Sequence, residues 1–166
     1  EVEEWVNKQN NFSDQFLSGN SYKDNISKNL EEIWETDTIG MPFIRGGKTF
    51  YYFNNGNLQQ NILMMQDCES CEAEILLDPN NFSKDGTISL SSASVSPDGR
   101  LLAYSISDGG SDWRTWHVLA IDSKKKLDDV IEWSKFSYAI WESDSSGFYY
   151  QKYDKPDEAL ADVNKE

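Results

Sequence analysis

A repeated strand–turn–strand pattern constrains the fold of this 166-residue chain more than any other feature of its sequence. Residues 93–104 can be laid over residues 139–150, and each copy reads as a strand, a turn containing Asp and Gly, and a second strand that ends in aromatic residues. The turn aspartates, Asp98 and Asp144, lie 46 residues apart, and a weaker copy occupies residues 42–52. Repeats of about 40–50 residues with about four strands each are typical of β-propeller blades. The turns agree, because Asp-Gly pairs supply the positive φ that two-residue hairpins need.

The hydrophobic periodicity changes from helical to extended near residue 37. Residues 1–36 carry apolar side chains at helical spacing, which predicts two or three short amphipathic helices, with Ser21 as the N-cap of the second. Residues 37–166 are punctuated by Gly, Asn, Asp and Pro and read as extended, until residues 156–166 lose any pattern, as a loop or a cut end would. The predicted strands cover residues 48–53, 61–65, 74–77, 93–96, 101–107, 115–121, 137–141 and 148–153. We therefore predict a mainly β chain with a helical N-terminal extension.

The chain contains too few repeats to close a propeller. Residues 42–135 make about two blades and residues 137–153 begin a third, whereas a ring closes with about 4–8 blades. Unclosed blades would expose strand edges, which natural proteins avoid. We therefore expect an incomplete propeller that forms the front part of a longer protein.

The net charge of the chain limits the kinds of molecule that it is expected to bind. The chain has 15 Lys and Arg against 29 Asp and Glu, a formal net charge of −14. A field of this sign repels nucleic acid and anionic lipid, and no apolar run approaches the about 20 residues that span a bilayer. We predict neither a nucleic-acid nor a membrane partner, and we expect a cytoplasmic protein, with the periplasm as the alternative.

No residue set in the sequence predicts a hydrolase centre. The string nearest to G-x-S-x-G runs from Gly109 through Ser111 to Trp113, which stands where the last glycine should be. The single histidine, His117, lies in an apparent strand, where we expect a packed side chain rather than a catalytic base. We predict no catalytic residue in this chain.

The two cysteines, Cys68 and Cys71, have the spacing of half a zinc site or of a redox pair. A zinc site needs further ligands that the sequence does not offer, and the neighbouring acids raise a thiol pKa rather than lowering it. We therefore interpret the pair as two loop thiols, with a redox pair as the alternative. We predict no metal and no cofactor.

Several short strings, taken in order, resemble one family. Residues 4–10 look like the helix that opens the prolyl oligopeptidases, and residues 55–61 are similar to the hairpin of their first blade. Residues 77–87 resemble the link between blades, residues 96–113 the second blade and residues 135–150 the third. Because the strings keep the order and spacing of the family over nearly the whole chain, the sequence resembles the N-terminal part of a prolyl oligopeptidase.

The resemblance implies a serine endopeptidase in which a seven-bladed propeller covers an α/β-hydrolase domain and restricts entry to short peptides cleaved after proline. It implies that residues 1–36 pack on the hydrolase domain of the same chain and that the Ser-Asp-His triad lies outside these residues. The chain would then gate substrate and have no hydrolytic activity of its own.

The resemblance also implies two substrate-binding residues. Phe136 falls where the propeller of the family contributes a phenylalanine to the substrate pocket, and Asp112 falls where an acidic residue sits near the same interface. A blade-core aromatic and a turn carboxylate are the respective alternatives. For the protein as a whole, the alternative is a non-catalytic propeller-type interaction module that closes its ring by oligomerising.

Overall fold

The structure, a computed structural model, describes residues 1–156. Residues 157–166, part of the stretch interpreted as a loop or cut end, lie outside the described residues. The chain divides into two compact units. The first comprises Glu1–Asp37 with Asn55–Asn57, and the second comprises Thr38–Asn54 with the described chain from Leu58 to residue 156.

The first unit contains two helices, α1 (Val2–Ser18) and α2 (Lys23–Trp34), in the region where the spacing of apolar residues predicted them. Neither helix has a buried residue. The predicted cap of α2 is wrong, because Tyr22 and not Ser21 is the N-cap. Asn20 forms the turn instead: its carbonyl accepts from the Lys23 amide at 3.1 Å and its Oδ1 accepts from the Tyr22 amide at 3.0 Å. Neither described helix is long and apolar enough to cross a membrane.

The second unit is built from antiparallel strands in three sheets. The strands are β1 (Thr38–Ile39), β2 (Phe43–Arg45), β3 (Lys48–Asn54), β4 (Ile62–Gln66), β5 (Glu74–Leu77), β6 (Ile88–Val95), β7 (Leu101–Asp108), β8 (Arg114–Ala120), β9 (Lys125–Ser134), β10 (Ile140–Trp141) and β11 (Phe148–Tyr149). The first sheet has the order β1-β3-β4-β5, with β2 also paired to β3. The second has the order β6-β7-β8-β9, and the third pairs β10 with β11.

Every predicted strand overlaps an observed one, but the last two are shorter than predicted. Of the predicted strands at residues 137–141 and 148–153, only Ile140–Trp141 and Phe148–Tyr149 form strands. The backbone on either side of them forms hydrogen bonds with loop and side-chain groups instead. The amide of Gln151, for example, donates to the Ser137 hydroxyl at 2.8 Å. The list of predicted strands omits β1, β2 and β9, although the weaker copy of the repeat at residues 42–52 includes β2. The first two have only two and three residues, and β9 is an edge strand whose exposed charged residues hide the alternating pattern.

The turns of the repeat lie next to one another. The Gly46 amide donates to the Pro97 carbonyl at 3.1 Å, and the Asp98 amide donates to the Ser145 hydroxyl at 3.1 Å. Gly99 has the positive φ that the Asp-Gly pair predicted, at 72°, whereas Ser145 takes the left-handed position, with a φ of 64°, in the third copy. The turn of the first copy therefore contacts that of the second, and the turn of the second contacts that of the third.

Hydrogen bonds also fix the charge of the central turn. The hydroxyl of Ser96 lies 2.6 Å from Asp98 Oδ1, and Arg100 Nε donates to Asp98 Oδ2 at 2.6 Å. The Ser96 hydroxyl and then the Arg100 side chain lower the pKa of Asp98 to about 2. The turn therefore keeps its carboxylate at all ordinary pH values.

Apolar side chains pack between successive sheets. A cluster between the first and second sheets comprises Phe50, Leu63, Met65, Leu76, Leu77, Val95, Leu102, Tyr104, Leu119 and Ile121. A smaller cluster joins the second and third sheets around Trp116, Ala103 and Ala139. Among the aromatic residues that end the second strand of each copy, Phe50 is fully buried, whereas Tyr149 is exposed.

The cysteines form a disulfide, so the interpretation as two free thiols is wrong. Cys68 and Cys71 lie in the predicted loop, between β4 and β5, with their Cα atoms 5.0 Å apart, a separation that a disulfide spans. Nothing in the sequence distinguishes this bonded state from the reduced one. Within residues 1–156, no group of three or more His, Cys, Asp or Glu side chains is placed to hold a metal ion.

Candidate functional site

Phe136 lies just beyond the end of β9, in a segment with unusual backbone geometry. Trp133 and Phe136 both adopt positive φ, 61° and 52° respectively, although neither is glycine. Residues with bulky side chains seldom adopt this conformation, and such outliers concentrate at functional sites. The Phe136 side chain is 62% exposed. The ring of Phe136 is therefore presented to solvent among the described residues.

Asp112 lies in the loop that connects β7 to β8, and its side chain is exposed. Gly109 and Gly110 both have positive φ, which turns the chain sharply after β7. The loop is closed by the Ser107 hydroxyl, which donates to the Ser111 carbonyl at 2.5 Å, and by the Trp113 amide, which donates to the Ser111 hydroxyl at 3.1 Å. The loop thus holds Asp112 directly before the large side chain of Trp113.

An aromatic cluster joins the surroundings of these two residues. Trp113 contacts Trp133 and Tyr153 in edge-to-face geometry, with centroid separations of 5.6 Å and 6.0 Å. The ammonium of Lys135 lies 4.3 Å from the Trp113 centroid and 6.0 Å from that of Phe136. We call Trp113, Trp133, Lys135 and Tyr153 the Trp113 cluster. Through it, the loop that carries Asp112 and the segment that carries Phe136 form one surface.

A groove of about 660 Å³ adjoins this surface. Its apolar walls include Ile88, Ile106, Trp113 and Trp133, and the carboxylates Asp108 and Glu132 also line it. No local pattern in the sequence signals the groove, because its lining comes from the ends of four different strands and their loops. The sequence signal for the Trp113 cluster is a tryptophan close to each predicted residue: Trp113 follows Asp112, and Trp133 precedes Phe136 by three residues.

His117 has no arrangement for hydrolytic catalysis. It is 7% exposed within β8, packs 5.5 Å from the Tyr104 ring, and its Nδ1 is buried without a hydrogen-bond partner among the described residues. Burial first, and the charge of Lys126 second, lower the pKa of His117. The prediction of a packed histidine is confirmed. No Ser–His hydrogen bond of a catalytic triad occurs within residues 1–156.

Known proteins resemble this chain over nearly its full length. Residues 1–166 match the family described as prolyl oligopeptidase, N-terminal beta-propeller domain. The prolyl endopeptidase of Elizabethkingia meningoseptica is 40% identical over 154 residues, which cover 93% of this chain and 22% of that protein. The prolyl endopeptidase of Elizabethkingia miricola is also 40% identical, over 92% of this chain and 21% of its own length.

Solved structures show the same likeness. A structure from a study of two prolyl endopeptidases and their inter-domain dynamics superposes with a TM-score of 0.87 at 33% identity, over 93% of this chain and 23% of that one. Prolyl oligopeptidase B of Galerina marginata, solved with a 35mer hydrolysis and macrocyclization substrate, has a TM-score of 0.87 at 24% identity, over 95% of this chain and 25% of that one, which supports the fold alone.

The chain thus spans between a fifth and a quarter of the length of these relatives. The family match covers every residue, and two relatives at 40% identity carry the same family name. The resemblance of the short sequence strings is therefore confirmed. The chain belongs to the prolyl oligopeptidase family, to whose N-terminal propeller domain its sequence and its fold correspond.

Proposed function

We propose that this chain supplies the substrate gate and part of the substrate pocket of a serine endopeptidase that cleaves short peptides after proline. The observation that carries the proposal is the exposed ring of Phe136, held in a left-handed segment and joined through Lys135 to the loop of Asp112. An exposed aromatic side chain on a fixed backbone offers a large apolar contact at a small entropic cost, which suits a proline ring.

In the proposed enzyme, each of the three sheets would form all or part of a propeller blade. The first and second sheets would be two blades of a seven-bladed propeller, and β10 with β11 would begin a third. The exposed apolar side chains of Tyr138, Ile140 and Tyr149, in and beside the third sheet, are consistent with a blade that further chain would cover. Such a ring limits entry to peptides that fit its central opening.

The helices of the first unit would pack on an α/β-hydrolase domain of the same protein. Trp5 on α1 and Ile33 and Trp34 on α2 are all more than 60% exposed. Large apolar side chains at this density on short helices are typical of a surface that another domain buries. This domain would carry the Ser-Asp-His triad.

The 166-residue chain by itself should not hydrolyse peptides. The reason is that residues 1–156 hold no serine hydroxyl bonded to a histidine, and His117 is buried. The measurement is the release of a chromophore from a proline reporter peptide by the purified chain. Turnover that a serine-directed inhibitor abolishes would contradict the proposal. A discrete ring of about two to four chains, seen by mass measurement, would support the interaction module instead.

Phe136→Ala should weaken the binding of a proline-containing hexapeptide to the chain by about tenfold, because the exposed ring would supply the main apolar contact to proline. The dissociation constant is measured by calorimetry against the hexapeptide and against a counterpart in which alanine replaces proline. Tyr138→Ala is the matched control, since Tyr138 is 71% exposed and lies two residues away. Equal affinities for Phe136→Ala and Tyr138→Ala would exclude Phe136 from the peptide site.

A further inference from the structure

The segment 133–137 departs from regular strand geometry twice within four residues. Trp133 and Phe136 have left-handed backbone conformations that their side chains disfavour. Such a conformation persists only where surrounding contacts impose it. The segment is held by a set of hydrogen bonds centred on Ser134, a residue that the proposed substrate contacts do not include.

Ser134 lies at the centre of this set. Its hydroxyl accepts a hydrogen bond from Trp116 Nε1 at 3.1 Å and donates one to the Gln151 carbonyl at 2.7 Å. Ser134 and Trp116 are both 0% exposed. The hydroxyl therefore satisfies a buried donor on β8 and a backbone acceptor on the chain that follows β11, and both would otherwise lack this partner.

The chain that follows β11 holds the segment at two further points. The Gln151 amide donates to the Ser137 hydroxyl at 2.8 Å, and the Tyr153 amide donates to the Trp133 carbonyl at 2.8 Å. Tyr153 also packs on Trp113. Residues 151–153 thus fix both ends of the segment, and the Ser134 hydroxyl connects them to the rigid core of the second sheet.

We infer that Ser134 is a positioning residue for peptide recognition: its buried hydroxyl fixes the 133–137 segment and thereby the direction in which Phe136 is presented. The inference rests on the proposed function, which assigns Phe136 to the peptide site. Removing the hydroxyl leaves the Trp116 N–H and the Gln151 carbonyl without this partner. Residues 151–153 then detach, the backbone relaxes at Phe136, and the ring must be ordered again each time a peptide binds.

The test compares Ser134→Ala with Ser96→Ala in the full chain. Ser96 is a matched control because it is also 0% exposed and its hydroxyl also makes two hydrogen bonds, with Asp98 and the Leu101 amide, at the opposite end of the second sheet. For Ser134→Ala we expect hydrogen exchange at the Gln151 amide to be about tenfold faster. We also expect the proline hexapeptide to bind about threefold to tenfold more weakly. Ser96→Ala should change neither quantity.

A second variant guards against a loss of folding in Ser134→Ala. Ser137→Ala removes the acceptor of the Gln151 amide and leaves the bond between Trp116 and Ser134. We therefore expect the logarithm of the dissociation constant for the hexapeptide to rise by about half as much as in Ser134→Ala. Unchanged exchange and unchanged affinity in both variants would overturn the positioning role. Retained affinity in Ser134→Ala beside a weakened Phe136→Ala would overturn that role alone. A wild-type chain that binds neither hexapeptide would overturn the proposed function, and with it the inference.

Discussion

Trp116→Ala should lower the free energy of unfolding by about 3–5 kcal/mol, the range for a fully buried tryptophan truncated to alanine. Trp116 is 0% exposed and forms the centre of the cluster that joins the second and third sheets, with Phe148 6.2 Å away between ring centroids. Its indole N–H also donates to Ser134, so truncation leaves both a cavity and a broken buried hydrogen bond. For a chain of this length we expect the melting temperature to fall by about 6–20 °C.

The matched control for this variant is Trp5→Ala. Trp5 lies on α1 and is 63% exposed, so its truncation should change the free energy of unfolding by less than about 1 kcal/mol. Urea denaturation followed by circular dichroism measures both variants. If the two substitutions had equal effects, Trp116 would not be the centre of a packed core, and the second and third sheets would not be joined as described.

Gly46→Ala should cost about 3 kcal/mol or more, because the new methyl group would overlap the backbone carbonyl of Asp98. Gly46 has a φ of 54°, which an alanine also disfavours. Backbone atoms cannot give way as the end of a flexible side chain can. The first and second turns of the repeat would therefore have to separate, breaking the hydrogen bond from the Gly46 amide to the Pro97 carbonyl.

Gly47→Ala isolates the contribution of the contact between turns. Gly47 also has positive φ, 80°, but an added Cβ would meet nothing within 4 Å. Its substitution should cost only the conformational penalty of about 1–2 kcal/mol. The difference between the two variants, measured by thermal and urea denaturation, thus reports the contact between neighbouring turns. Equal losses would show that the turns of the repeat do not touch in solution.

The sequence predicted most of the strands and turns, but it did not predict one edge strand or the disulfide. Short apolar runs placed eight strands, since their alternation and their punctuation are local signals. The edge strand β9 was missed because its outward residues, such as Asp128 and Asp129, are charged. The disulfide between Cys68 and Cys71 was missed because a C-x-x-C spacing fits several chemistries equally well.

The candidate site could be predicted only in part. Asp112 and Phe136 came from the resemblance to the family, which supplies positions but no contacts. The packing of Trp113 on Tyr153 joins residues that are far apart in the sequence, and no local pattern encodes such a pair. The left-handed backbone at Trp133 runs against residue preference, so it could be found only in the structure. The packing of Trp113 on Tyr153 and the left-handed backbone at Trp133 belong to the surface that carries the exposed side chain of Phe136, and neither could be predicted from the sequence.

The most direct test of the proposed peptide site is a nuclear magnetic resonance titration of the ¹⁵N-labelled chain with the proline hexapeptide. The chain has six tryptophans, so it offers six indole N–H signals. The proposed site requires that the signals of Trp113 and Trp133 shift with added peptide, while that of Trp5 on α1 stays in place and the alanine counterpart shifts none of them. Shifts confined to other tryptophans, or equal shifts with the two peptides, would contradict a proline-recognising surface at Phe136.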